Sequence, residues 1–126
     1  MKDFHNLKVW ERAHQLTLMI YKHTTEFPQS ETYGLANQMR RSASSIPTNI
    51  AEGCGRESQV ELAHFFQISM GSSSELDYQL ILAHDLNYLN EKTFQELFFV
   101  LNEVRRMLNA LINKIKHDNE SQKANG

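Results

Sequence analysis

The sequence predicts an all-α fold, an antiparallel up-down-up-down four-helix bundle, and three observations lead there. Glycine and proline interrupt the chain in few places, and no window alternates apolar and polar residues over a strand's length. Phe94, Leu97, Leu101, Val104, Leu108, Leu111 and Ile115 recur at alternating spacings of three and four. That unbroken heptad suits helices lying side by side better than steeply crossed ones, and short connections make neighbours in sequence antiparallel.

The first helix is expected from Asn6 to Glu26, with Leu7, Trp10, Ala13, Ile20, Tyr21, Thr24 and Phe27 on its inner side and Lys8, Glu11, Gln15, Lys22 and Glu26 opposite. Phe27-Pro28 ends it. The second helix is expected from Tyr33 to Gly53, leaving through Cys54, Gly55 and Arg56. Ser58-Gln59-Val60-Glu61 has the spacing of a capping box and starts the third, which runs to His84 or Asp85 with Leu62, Phe65, Phe66, Ser69, Ser73, Leu76, Leu80 and Ala83 on one face. Asn90 is a natural cap for the fourth. Residues 1–117 read as one domain, and the polar residues 118–126 as a disordered tail.

Composition narrows the function. Of 126 residues, 40% are hydrophobic and 22% charged, and no apolar run approaches the roughly 18 to 20 residues of a membrane span, so no membrane role is expected. The first six residues lack the basic stretch and apolar run of a secretory signal, and the single cysteine, Cys54, excludes an internal disulfide. A cytoplasmic location is the expectation. The net charge of -2 conceals an uneven distribution: between Glu57 and Glu91 every charged side chain is acidic, whereas Lys92, Arg105, Arg106, Lys114 and Lys116 follow.

Residues 38–56 carry what an ordinary helix avoids: adjacent Arg40 and Arg41, a serine-rich middle, Pro47 inside, and Gly53 and Gly55 at the end. Pro47 removes a backbone donor and should kink the helix unless packing compensates. Helical projection puts Leu35, Met39, Ser42, Ile46, Asn49, Ile50 and Gly53 inward, beside a small-residue stripe of Ala36, Ala43, Pro47, Ala51 and Cys54 that permits close approach, including that of a neighbouring subunit. Arg41 and Glu52 share a polar strip suited to ion pairs with another helix or subunit, and Asn49 on an apolar face is the kind of amide that fixes register. Gly71 and the serines after it read as residues of a crowded packing seam.

Catalytic and metal chemistry find little support. Glu11-x-x-His14 and Glu61-x-x-His64 have the spacing of di-iron carboxylate bundles, but the first pair lies on a polar face, the second projects away from the Leu62–Leu80 side, and Glu61 is explained as a cap. Cys54 has no His or Asp beside it in sequence, so no catalytic residue, metal or other cofactor, and no small-molecule substrate, is expected.

Three strings remain to be explained together. These are Phe4-x-x-Leu7-x-Val9-Trp10-x-x-Ala13, then Tyr33-Gly34-Leu35-x-x-Gln38-x-Arg40-Arg41, then Ser45-Ile46-Pro47-x-Asn49-Ile50-Ala51-Glu52-Gly53-x-Gly55-Arg56. They resemble the four-helix-bundle proteins encoded in intervening sequences of bacterial large-subunit ribosomal RNA genes, and Phe65-Phe66-Gln67-Ile68-Ser69-x-Gly71-Ser72 continues the likeness. The resemblance implies a left-handed bundle assembled as a homopentameric ring, without catalytic residues. A related branch, the accessory variability protein of diversity-generating retroelements, binds nucleic acid and a reverse transcriptase through a strongly basic surface. This chain departs from it in its negative net charge and in a third helix without lysine or arginine.

The functional expectation is therefore a non-enzymatic homo-oligomer that binds RNA or a nucleic-acid-handling protein. Arg40, Arg41, Arg56, Arg105 and Arg106 are the candidate polyanion contacts. Arg41, Pro47, Asn49, Glu52 and Gly53 are the candidate assembly and packing residues. The alternative is a structural or protein-interaction module with no nucleic-acid contact.

Overall fold

A computed structural model describes residues 3–125, with side chains to residue 121. A single 3-10 turn at Phe4–Asn6 leads into α1 (Lys8–Thr24), a second at Gln29–Glu31 precedes α2 (Leu35–Cys54), and α3 (Gln59–Asp85) and α4 (Glu91–Asn125) complete the chain. Each helix packs on its neighbour in sequence, and α1 closes the ring against α4. Antiparallel register is visible in individual pairs. Thr17 meets Ala43 and Thr24 meets Arg40 across α1–α2, while Ser69 meets Ile46 and Ser42 meets Glu75 across α2–α3. Along α3–α4 the pairs are His84 with Glu91 and Asp77 with Arg105, and between α1 and α4 the ion pair is Arg12 with Glu103 at 2.6 Å.

The helix ends follow local chemistry. Ser58 Oγ accepts the Glu61 amide at 3.1 Å and Asn90 Oδ1 accepts the Thr93 amide at 2.8 Å, as the caps read from the sequence require. Asn87 sits at φ 64, where the Tyr88 amide reaches Ala83 O at 2.9 Å and the Asn87 amide reaches His84 O at 3.0 Å, the two bonds of a Schellman end. At the start of α2 the Glu31 carboxylate accepts the Leu35 amide at 3.2 Å and the Tyr88 hydroxyl at 3.0 Å. A Cβ on Gly34 would stand 2.6 Å from that carboxylate, so glycine there gives it access to the helix terminus.

The core is one cluster, with Leu16, Ile20, Met39, Ile46, Ile50, Phe66, Leu76, Leu80, Leu97, Leu101 and Leu108 fully buried. Several details differ from expectation. On α1, Val9, Leu16 and Thr17 are buried while Trp10 is partly covered and Tyr21 is exposed, because the inner stripe follows Val9–Ala13–Leu16–Ile20. On α4, Ile112 takes the inner place expected of Leu111, as a straight 3.6-residue helix drifts against a strict heptad. The fourth helix also continues through Asn125, so residues 118–125 are helical rather than the disordered tail expected; Gly126 lies outside the described residues.

Pro47 does not interrupt α2. The carbonyl it leaves without a donor is that of Ala43, and the buried Thr17 hydroxyl of α1 stands 3.1 Å from it and 2.9 Å from Ala13 O, one proton serving both. Packing thus repairs the helix from outside. On the other flank Ser69 Oγ donates to Ile46 O at 2.9 Å, and Gly53 closes the α2–α3 contact: a Cβ there would lie 3.0 Å from Phe65 Cβ and 3.2 Å from Leu62 O.

Candidate functional site

The five arginines singled out in the sequence do not form one patch. Arg40 is an internal clamp: Nε donates to Thr24 Oγ1 at 2.9 Å, Nη2 donates to Tyr21 O at 3.2 Å, and the guanidinium lies 4.9 Å from the Tyr21 ring centre. It satisfies a carbonyl at the C-terminal end of α1, where a cation is also favoured by the helix dipole. Arg56 lies 4.8 Å above Phe65 and within 3.5 Å of Glu52 and 3.8 Å of Glu61. Arg105 binds Asp77 at 2.8 Å and Ser74 Oγ at 3.2 Å. Among the described residues Arg40, Arg41 and Arg106 make no ion pair, and of these only Arg41 and Arg106 also lack a side-chain hydrogen bond; they stand on α2 and α4, which are not adjacent in the bundle.

The assembly candidates separate in the same way. Pro47 and Gly53 are buried inside the bundle, Glu52 pairs with Arg56, and Arg41 is exposed. Asn49 is half-buried, and its amide donates to Ser45 O at 2.8 Å and Ser45 Oγ at 3.0 Å in its own helix. It therefore does not tie one helix to another, as a register-fixing amide would, because an i−4 carbonyl lies within closer reach. Glu11, His14, Glu61 and His64 are all exposed, and His14 stacks on Trp10 at 5.4 Å.

Two outward surfaces, among others on the described residues, bear on the expectations. Between the start of the chain and α2 runs a groove of about 700 Å³ lined by Phe4, Trp10, Pro47 and Ala51, with His14, Glu52 and Arg56 at its edges. Phe4 and Trp10 meet edge-on at 4.9 Å and form its apolar wall. The second surface is the outer side of α3. Val60 and Tyr78 are 63% and 62% exposed there, joined by exposed Ile68 and Ile81. In the middle of that side is Gly71, where an added Cβ would meet nothing within 4 Å.

The packing seam expected at Gly71 is thus only half present. Ser72 and Ser73 face inward, Ser72 Oγ donating to Ser45 Oγ at 2.8 Å, whereas Gly71 and Ser74 face outward. No sequence signal separated them, because consecutive residues of a helix differ by about 100°.

This is an all-α four-helix bundle whose residues of interest lie on helix faces. The sequence pattern of the 23S rRNA-intervening sequence protein family matches residues 5–110, and the chain belongs to that family. Its fold is similar to the crystal structure of a protein of unknown function from the S23 ribosomal protein family of Bacteroides thetaiotaomicron VPI-5482. The likeness has a TM-score of 0.77 at 19% identity, over 83% of this chain and 95% of the other. No curated protein compared with the chain matches it. Among the described residues no helix is long and apolar enough to cross a membrane.

Proposed function

We propose that the chain is a non-catalytic, self-assembling bundle that works through protein contacts, with the outer side of α3 as its principal contact surface. Gly71 carries this reading. A glycine inside a helix costs about 0.5–1 kcal/mol relative to alanine. Inside this chain nothing approaches Gly71 closely enough to require it. A helix of a second copy lying against Ile68, Gly71 and Tyr78 supplies the missing reason, since a residue without a Cβ lets backbones approach. Exposed tyrosine and aliphatic side chains around a small residue are also the composition of an interface centre.

The charge pattern favours protein over nucleic acid at this surface. No lysine or arginine occurs between Glu57 and Glu91, so a phosphate backbone meets only acidic or neutral groups on α3. Sedimentation of the purified protein tests the proposal: the wild type should be oligomeric at micromolar concentration, and Ile68→Glu with Tyr78→Glu should give folded single chains. A wild type that sediments as one chain at every concentration overturns it.

A second reading, contact with structured RNA, is favoured by one observation: Arg41 and Arg106 are exposed and make no ion pair among the described residues. Repetition around an assembly would multiply them. Salt-dependent RNA retention that weakens in Arg41→Ala with Arg106→Ala supports this reading, and no retention at low salt removes it.

A further inference from the structure

A contact on the outer side of α3 can be met by different faces of a second copy, and the helices differ in what they offer. α2 carries no large exposed apolar side chain, and on α1 the exposed Leu18 shares its stripe with Glu11 and Lys22, whose charges cancel. On α4 Phe99 is 62% exposed. Lys92, Phe99 and Arg106 recur every seven residues, so they form one stripe along the outside of that helix. Neither Lys92 nor Arg106 makes an ion pair among the described residues. The acids nearest the stripe lie towards α1: Glu103 is held by Arg12 at 2.6 Å, and Glu96 lines with Arg12 the groove between the two helices.

The outer side of α3 has the opposite charge. Glu75 and Asp85 are exposed on the stripe of Gly71 and Tyr78, and no lysine or arginine occurs on the helix. Glu75 makes no ion pair among the described residues, although Arg41 of α2 lines a slot with it, and Asp85 has only its neighbour His84 at 3.8 Å. Charge therefore decides between two ways of pairing. Two α3 faces brought together, as in a two-fold pair, set these carboxylates against a surface without lysine or arginine. An α4 face brought to an α3 face sets Lys92 and Arg106 against them. Phe99 is then the large apolar side chain of one surface, and Gly71, where an added Cβ meets nothing within 4 Å, is the opening in the other.

We propose that copies of the chain join head to tail, the α4 stripe of Lys92, Phe99 and Arg106 on one lying against the α3 side of Ile68, Gly71 and Tyr78 on the next. This arrangement rests on α3 being a contact surface and identifies the face that covers it. Because the two surfaces differ, every pair leaves one α3 face and one α4 face unused, and assembly passes beyond two chains.

Two variants of the full chain and their mixture test this by sedimentation. Phe99→Glu with Arg106→Glu removes the α4 surface, and Ile68→Glu with Tyr78→Glu removes the α3 surface; all four side chains are exposed, so both variants should keep the wild-type helical content. Each alone should sediment as single chains. An equimolar mixture should form a pair and stop there, since it retains one intact α4 surface and one intact α3 surface. Lys92→Glu with Arg106→Glu, which leaves Phe99 in place, should match the first variant and repeats the test if Phe99→Glu unfolds. An α4 variant that keeps the wild-type mass overturns the head-to-tail contact while leaving the α3 surface standing, and if that variant also loses RNA retention, the stripe belongs to nucleic acid. Two single-chain variants that fail to pair when mixed overturn it as well. A wild type that is a single chain at every concentration removes the α3 contact surface along with it.

Discussion

Gly53 and Gly71 both sit inside helices, and the contrast between them separates what holds this chain together from what it presents outward. At Gly53 the reason for glycine is internal, since the third helix passes so close that a Cβ would press on Phe65 Cβ and the Leu62 carbonyl. At Gly71 the surroundings are open and the flanking side chains apolar. The same residue type at similar cost is explained at Gly53 by the fold, whereas at Gly71 it is the proposed second copy that would supply the reason.

Substitutions sharpen that contrast, beginning with the largest effect. Gly53→Ala should lower unfolding stability by about 1–3 kcal/mol in urea titration, because both obstacles are fixed to backbone and cannot rotate away. Unchanged stability would mean that the α2–α3 contact is looser than its geometry. Next comes the repair of Pro47. Thr17→Val should cost about 1–2 kcal/mol in the wild type by stripping Ala43 O of its outside donor, and clearly less in a Pro47→Ala background, where the restored amide takes over. Equal costs in the two backgrounds would deny the coupling.

The smallest effect concerns Cys54, beside Gly53. Burial pushes its thiol up from the ordinary value. The folded state therefore holds its proton more tightly than the unfolded one, so this group leaves stability unchanged at neutral pH and lowers it only as pH rises above about 8.5. Disulfide reagents at pH 8 should label the native protein far more slowly than the urea-unfolded chain; equal rates would place the thiol in solvent.

The bundle was largely readable from periodicity. The apolar spacing of α4 and the caps at Ser58 and Asn90 are local signals, and the structure contains both. What stayed hidden depends on partners far away in sequence. Thr17 looked like an ordinary helix residue because its role is defined by a proline thirty positions on. Arg40 looked like a surface cation because the carbonyl it satisfies belongs to another helix. Gly71 and Ser72 looked alike because only the assembled bundle tells which of two adjacent positions faces inward.

The most direct test of the outward role of α3 is a paired measurement of native mass and melting temperature for the wild type and Gly71→Ala. The account predicts a wild-type oligomer, and a variant whose chain unfolds no more easily but whose mass falls towards that of a single chain. A variant that keeps the wild-type mass would contradict it.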